Sequence, residues 1–381
     1  MASDTKLLIM ASLFPPQKKG GGPTISIINL VQNIKNDFDI FIISKNHENN
    51  EKEPLPGVQS GWNNFDYGKV FYTNYGEHTF KHIIRIIKEV KPDVIYQNSF
   101  FSFDDIIPVL LYKKFYDKKV KIVIAPRGEI CNNRVSVGGT KKKLYTLVLK
   151  ALGLLKGVQW HATAKEEMQD IANYFNVSKE NVFNVSNITS IDSEAAFISK
   201  SMGELKLVFI ARIHPMKNVL NAIKYLKSLI GNVTYDIYGS VEDKDYWNIC
   251  LKEISALPSS ISVNYKGAVE HQDVSDTLQK YHAFFMPTIG ENYGHSIVEA
   301  LLNSKPVIIS DQTPWTDINK HYAGYAIALE DEQGYVLALQ KLINMEQEEY
   351  EDMCKRAYNY ITSKIDTESL YKQYVKMFAK K

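Results

Sequence analysis

The chain is short of arginine, cysteine, net charge and long apolar runs, and each shortage excludes a class of protein. Its net charge of +2 over 381 residues gives no electrostatic reason to expect nucleic-acid binding. The cysteines, Cys131, Cys250 and Cys354, are three and widely spaced, which excludes a disulfide framework and a zinc site. Free thiols point to a reducing compartment, so a cytoplasmic protein is expected. No apolar stretch approaches the roughly 20 residues needed to span a bilayer. The early run 7–12 is too short for the core and cleavage site of a signal peptide. Low-complexity segments and short repeats are absent. Only five of the 45 basic residues are arginines: Arg85, Arg127, Arg134, Arg212 and Arg356. Two of them, Arg127 and Arg212, directly follow apolar runs, a loop position at which a guanidinium binds phosphate well.

What is present is an alternation of two periods. Strands are expected at 7–12, 38–44, 69–72, 94–97, 120–125, 158–162 and 181–185. Helices are expected between them, at 24–34, 79–90, 104–116, 141–155 and 165–174. Residues 186–204 are polar, carry no sustained period and read as a linker. The pattern then restarts with strands at 205–211, 233–238, 261–265, 283–286, 307–310 and 325–328, and with helices at 219–229 and 243–255. After Glu330 the chain reads as helical to its end. Strand–helix alternation implies right-handed crossovers and mostly parallel sheets, so two Rossmann-like domains in tandem are expected. Their bounds are set at 1–186 and 187–364, with 365–381 as a terminal helix. On that helix Leu370, Tyr371, Tyr374, Val375 and Phe378 share one apolar face.

Three segments carry chemistry. The first is Pro287-Thr-Ile-Gly-Glu-Asn-Tyr-Gly-His-Ser-Ile-Val-Glu299. An apolar strand breaks at Pro287 into a loop with Gly290 and Gly294, and a helix is expected to begin near Ser296. Glu291 and Glu299 stand eight positions apart, at the carboxyl end of a strand, where open α/β sheets bind ligands. Ser296-Ile-Val-Glu299 is also a capping box by sequence, which by itself would account for Glu299 but not for Glu291, Asn292 or the glycines. The second segment is Phe209-Ile-Ala-Arg-Ile-His-Pro-Met-Lys-Asn218. Lys217 at a helix start opposes the helix dipole by a few tenths to about 1 kcal/mol, which an anionic ligand would reverse. Two solvated surface charges are the alternative reading. The third is Phe14-Pro-Pro-Gln-Lys-Lys-Gly-Gly-Gly-Pro-Thr24, where Gly21 and Gly22 let backbone amides approach an anion and Pro23 suits the first helical turn. A flexible turn would have the same composition.

Taken in chain order, glycine loop, then 209–218, then 287–299, the segments resemble glycosyltransferase family 4, whose members have the GT-B fold and retain anomeric configuration. Arg212 and Lys217 match the family's R-x4-K element, and Glu291 and Glu299 its E-x7-E motif. The resemblance implies two Rossmann-like domains facing across a cleft, with a C-terminal helix that crosses back to the first domain. It implies that Arg212 and Lys217 grip the donor diphosphate and that Glu291 contacts the donor sugar, these three forming the catalytic group. Glu299 would hold the ribose hydroxyls. Gly21, Gly22, Asn292, Tyr293, Gly294 and Ser296 would line the donor. Gly267 and Val269 would hold the nucleobase through their backbone, although a plain loop fits 265–269 equally. Asn292-Tyr293 departs from the family's usual Gly-Phe-Gly-like run. Ala125-Pro-Arg-Gly-Glu129 resembles the family's Ser-Pro-His-Gly segment, with Arg127 in place of the histidine. Arg127, Glu129 and His161 are thereby assigned to the acceptor side, with a solvated loop acid and a structural histidine as the alternatives for the last two.

The implied reaction moves a sugar from a nucleotide-sugar donor, a UDP-sugar for preference, to a glycan or lipid-linked acceptor in bacterial surface polysaccharide synthesis. It uses neither a cofactor nor a metal. A storage-glucan synthase or phosphorylase and a non-catalytic nucleotide-sugar binding module are the rivals. Lysines before the apolar stretch in 141–155 fit a helix lying on a membrane, at the inner face of the plasma membrane, and fit equally a core helix with a solvated basic start.

Overall fold

The computed structural model describes residues 5–17, 21–48, 51–130, 139–189 and 197–380. The chain divides into two compact units, Met1–Ser190 with Thr367–Lys381, and Ile191–Asp366.

The first unit runs β1 (Lys6–Met10), α1 (Gly21–Ile34), β2 (Asp39–Lys45), β3 (Gly61–Phe65), β4 (Gly68–Thr73), α2 (Phe80–Val90), β5 (Val94–Asn98), α3 (Phe103–Phe115), β6 (Lys121–Ala125), α4 (Gly139–Ala151), β7 (Gln159–Ala162), α5 (Lys165–Phe175) and β8 (Val182–Asn184). The sheet order is β3-β4-β2-β1-β5-β6-β7-β8, and only the β3–β4 pairing is antiparallel. Strand β1 lies at the centre, with Leu8 opposite Phe41 on one side and Ile95 on the other. Its residues Leu7 to Met10 are all fully buried, as a parallel strand covered on both faces requires. Helix α2 turns Ile83, Ile86, Ile87 and Val90 inward at helical spacing and starts at Thr79, whose hydroxyl accepts from the His82 amide.

The second unit runs β9 (Glu204–Ile210), α6 (Val219–Leu226), β10 (Asn232–Tyr238), α7 (Lys244–Ser255), β11 (Ile261–Gly267), α8 (Val274–Leu278), β12 (Ala283–Met286), α9 (His295–Leu302), β13 (Val307–Ser310), β14 (Gly324–Ile327), α10 (Glu332–Asn344) and α11 (Gln347–Lys364). Its sheet is wholly parallel in the order β11-β10-β9-β12-β13-β14. The strand order reverses between β9 and β12, and the corresponding reversal in the first unit lies between β1 and β5. These are the switch points at which open α/β sheets bind ligands.

The terminal helix α12 (Thr367–Phe378) belongs to the first unit. Tyr374, Met377 and Phe378 are buried, and the Phe378 ring meets Phe38 and Tyr96 edge-on at 6.0 and 5.1 Å. The Tyr371 hydroxyl donates to Asp37 at 2.9 Å, and that of Tyr374 to the Ser186 carbonyl at 3.1 Å. The expected return of this helix is therefore present.

Two expectations need correction. The hairpin strand β3 was unforeseen, because Gly-Trp-Asn-Asn-Phe carries polar residues on an edge strand that is half open to water. The stretch expected as a linker from Ser186 still packs through Thr189, with Ile188 fully buried. Near its other end, Lys200 is buried and donates to the carbonyls of Ser201, Ile343 and Met345.

Truncating Phe378 to alanine should cost about 3–5 kcal/mol, the usual range for a buried aromatic. A chain of two units does not unfold in a single step, so amide exchange is the suitable readout. Phe378→Ala should lower protection in β1 and β2 and leave β9 to β12 unchanged. Equal loss in both sheets would show that α12 does not belong to the first unit alone.

Candidate functional site

The loops that follow β9 and β12 flank the switch point of the second unit, and backbone geometry holds them together. Gly239, directly after β10, passes so close to the start of the loop after β9 that a Cβ there would lie 1.8 Å from the Ala211 carbonyl, and its φ of +151° is one that only glycine adopts freely. A 3-10 turn, Pro215–Lys217, then leads into α6. His214 Nδ1 accepts from the Met216 amide, and Asn218, left-handed at φ +58°, donates its side-chain amide to the Pro287 carbonyl at 2.9 Å. The Met216 carbonyl accepts from the Thr288 hydroxyl at 3.0 Å and from the Ile289 amide at 2.9 Å. The Glu291 amide donates to the Gln312 carbonyl at 3.0 Å.

This stitching brings Lys217 against Glu291 in a close ion pair, with side chains only 17% and 12% exposed. Arg212, on the same loop as Lys217, is half exposed and donates through Nη1 to both oxygens of Glu242 at 2.8 and 2.9 Å. Both cations of the R-x4-K element are thus held by carboxylates. Sequence spacing indicated Glu291 but gave no signal for Glu242, which lies 30 residues from Arg212.

Glu299 stands apart, in the first turns of α9, with one oxygen 3.5 Å from His271 Nδ1. Its side chain is 15% exposed, and burial pushes its pKa up to about 8. Burial also lowers the pKa of His271. The capping-box reading fails. Helix α9 begins at His295 and is capped by Gly294, left-handed at φ +76°, whose carbonyl accepts from the amides of Ile297 and Val298. Ser296 lies inside the helix, so Glu299 is not the third residue after a serine cap. A Cβ at Gly294 would lie 2.9 Å from Ile297 Cδ1, which with the positive φ restricts the position to glycine.

The remaining donor-side expectations divide. Asn292 is half-buried, whereas the Tyr293 ring is buried, edge-on to Trp315 at 5.7 Å, and the Tyr293 carbonyl accepts from the Trp315 indole at 2.6 Å. The Tyr293 side chain therefore faces the core. Strand β11 runs on through Gly267, whose carbonyl accepts from the Gly239 amide at 2.8 Å, so Gly267 ends a strand and does not sit in the loop expected there. Val269 is half-buried beyond it. Gly21 and Gly22 open α1 in the first unit, three residues before the helix start expected at Thr24, while Gly20 lies outside the described residues.

The three residues expected on the acceptor side are engaged within the first unit. Arg127, left-handed at φ +54°, donates to Asn98 at 3.1 and 3.0 Å, to Asn187 at 2.7 Å and to the Tyr96 hydroxyl at 2.9 Å. Glu129 accepts from the Ser99 hydroxyl and the amides of Phe100 and Phe101, and burial raises its pKa. His161 is fully buried between the Tyr96 hydroxyl at 2.7 Å and the Val185 carbonyl at 2.8 Å. Burial, reinforced by Arg127, pushes its pKa down to about 3, so it is a neutral core group that does not reach the surface.

Sequence reasoning missed a polar cluster near the switch point of the first unit. Buried Asp105 accepts from the hydroxyls of Ser12 and Ser102 and pairs with His78 at 2.6 Å. Although burial opposes it, His78 and the two hydroxyls hold the Asp105 pKa below its ordinary value. The residues come from three separate segments, and the one short spacing, Ser102 to Asp105 at the start of α3, gives no hint of Ser12 or His78. Two Asp-x-Asp triplets, Asp37 to Asp39 and Asp243 to Asp245, have structural partners: Asp37 accepts from Tyr371, and Asp243 caps α7. Among the described residues, no group of three or more His, Cys, Asp or Glu side chains is placed to hold a metal ion.

Two parallel-sheet units with matching switch points, and a terminal helix returned to the first, constitute the GT-B fold. Residues 190–360 match the family model described as glycosyl transferases group 1, and that segment is a group 1 glycosyltransferase domain. The O-antigen chain mannosyltransferase RfbU of Salmonella typhimurium is 24% identical over 191 residues, 50% of this chain and 51% of that protein, so the match spans about half the length of this curated relative. HepE from Anabaena, solved with UDP and glucose, is similar over 98% of this chain and 99% of its own, with a TM-score of 0.71 and 13% identity. WaaG, a glycosyltransferase involved in lipopolysaccharide biosynthesis, is similar over 98% and 99%, with a TM-score of 0.67 and 12% identity. At such identities the two structures share the fold.

Glu299 generates a pH dependence. Its folded pKa of about 8 exceeds the ordinary 4.5, so between these values the native state holds a proton that the unfolded chain has released. Stability should therefore fall as pH rises through that window, by at most roughly 1.4 kcal/mol per pH unit, and level off above it. Glu299→Gln should flatten this slope in denaturation of the second unit. The difference between the two profiles separates Glu299 from His271, whose lowered pKa acts in the opposite sense. Superimposable slopes would mean that Glu299 is ionised in the native state.

Proposed function

We propose that this chain is a retaining glycosyltransferase that moves a sugar from a UDP-sugar to a hydroxyl of a glycan or lipid-linked acceptor in bacterial surface polysaccharide synthesis. The observation that carries the proposal is the Lys217–Glu291 pair, with Arg212 beside it in sequence, on stitched loops at the switch point of the second unit. The family match to residues 190–360 supports the activity, and the name of RfbU supports the setting.

The chemistry follows from the charges. Breaking the bond between the sugar C1 and the phosphate oxygen leaves negative charge on the diphosphate. Fixed cations aimed at that charge stabilise the transition state more than the ground state. A diphosphate competes for Lys217 and Arg212 with the carboxylates that now hold them, and freed Glu291 is then available to sugar hydroxyls. Glu299, once ionised, accepts two hydrogen bonds from the ribose diol. In the front-face path supported by the family resemblance, the acceptor oxygen bonds to C1 on the face that the phosphate leaves, and its proton passes to the departing phosphate. No carboxylate nucleophile is required on the opposite face. Arg212 and Lys217 supply the positive charge, so donor binding is proposed to be metal-independent.

Arg212→Ala and Lys217→Ala should each lower turnover by about 10²-fold or more while the fold persists. Transfer from a radiolabelled UDP-sugar checks this, and near-normal rates in both variants would remove the diphosphate assignment. The same assay should proceed in EDTA. Loss of activity in EDTA that Mn²⁺ restores would contradict metal independence. Tight UDP-sugar binding with neither transfer nor hydrolysis would favour the binding-module reading.

A further inference from the structure

A pocket of about 460 Å³ opens on the second unit at the amino end of β14, between that strand and helices α10 and α11. All six strands of this sheet are parallel, so the pocket lies at the edge opposite the carboxyl ends that carry Lys217 and Glu291. Its floor is apolar: Met345, just after α10, and Met353 of α11 are buried. Its rim is aromatic and charged. Tyr322, which precedes β14, is 70% exposed, with the Arg356 guanidinium 5.7 Å from its ring centre. Arg356 in turn pairs with Asp352, one turn earlier in α11, at 2.6 Å. Half-buried Tyr325 stands beside Glu349, and burial together with that charge raises its pKa, so its hydroxyl is a neutral donor. Among the described residues the Tyr325 hydroxyl, the Lys341 ammonium and the Glu349 carboxylate make no hydrogen bond or ion pair. The edge of β14 is closed to an added strand, because the Asn319 side-chain amide donates to the Ala326 carbonyl at 2.9 Å and accepts from the Ala326 amide at 2.6 Å.

The balance of charge selects the ligand. Lys341 and Arg356 face Glu349 and Asp352, and one cation is already closed on one acid, so a phosphate or an ammonium would meet as much repulsion as attraction. A neutral polyhydroxyl ring gains from both signs. Its hydroxyls donate to Glu349 and accept from Lys341 and Tyr325, and hydrogen bonds to charged groups are the stronger ones. Its C–H face is apolar and stacks on an aromatic ring, which Tyr322 offers above the methionine floor. We propose that this pocket is a glycan-binding site, remote from the switch point, that takes a short neutral segment of a carbohydrate chain. That the bound chain is the one the protein extends rests on the proposed transfer reaction, whereas the binding itself does not.

The test is saturation-transfer NMR of the full chain, saturated with UDP, against maltose, lactose, mannobiose and diacetylchitobiose. At least one of these disaccharides should bind, about 10-fold more tightly than its own monosaccharide. Tyr322→Ala should weaken that binding by about 10-fold or more, whereas Tyr322→Phe, which keeps the ring, should leave it within about two-fold of the wild type. Combined Lys341→Gln and Glu349→Gln should weaken it by about 10-fold. The substituted side chains are exposed, so thermal melting should be unchanged in all three variants. Absence of binding by all four disaccharides, or equal binding by Tyr322→Ala, overturns the proposal. Displacement of the sugar by inorganic phosphate would also overturn it, by assigning the pocket to an anion, and a monosaccharide bound as tightly as its disaccharide would assign it to a free sugar. None of these readouts requires sugar transfer, so their failure leaves the proposed reaction standing, and failure of that reaction leaves the site standing.

Discussion

The Met216 carbonyl accepts two hydrogen bonds from the loop after β12, one from the Thr288 hydroxyl and one from the Ile289 amide. Everything proposed for the switch point of the second unit depends on that junction. It ties the loop after β9 to the loop after β12 across the reversal of strand order, and so holds Lys217 within reach of Glu291. Asn218 adds a third tie through Pro287, and Gly239 permits the close backbone passage beside Ala211 and Arg212. Sheet topology creates a crevice, and backbone hydrogen bonds determine which side chains line it.

The charges in that crevice are mutually compensated. Lys217 and Glu291 are mostly buried, and removing either would leave the other without its partner in a poorly solvated place. Arg212 and Glu242 are more open, so that pair contributes little to stability and can exchange its partner at low cost. A partly buried pair beside an open one suits a site that must accept a dianion without large rearrangement. Glu299 differs from both, since burial pushes its pKa up to about 8 and the titratable group beside it is His271, 3.5 Å away.

Much of the architecture could be read from residue order. Doubly covered parallel strands such as β1, β12 and β13 appear as unbroken apolar runs, and amphipathic helices such as α2 show their inward face at helical spacing. Features failed where a local rule competed with another. Ser296-x-x-Glu299 satisfies the capping-box pattern, yet Gly294, two residues earlier, starts the helix because it alone adopts the left-handed cap without strain. Strand β3 has no apolar alternation because its outer edge faces water. In the candidate site, spacing picked out Arg212, Lys217, Glu291 and Glu299. It could not show which carboxylate holds which cation, nor that His161 and the Tyr293 ring point into the core, because such facts depend on contacts between distant segments. The cluster of Ser12, His78, Ser102 and Asp105 was illegible for the same reason.

The central claim is that the second unit's switch point holds a nucleoside diphosphate. Amide hydrogen exchange with and without UDP tests it most directly, because it locates the ligand on the chain without presupposing donor sugar or acceptor. The account predicts slowed exchange in 212–218 and 288–299, with a smaller effect or none along β13 and β14. Slowed exchange confined to the first unit, or an unchanged pattern at saturating UDP, would contradict it.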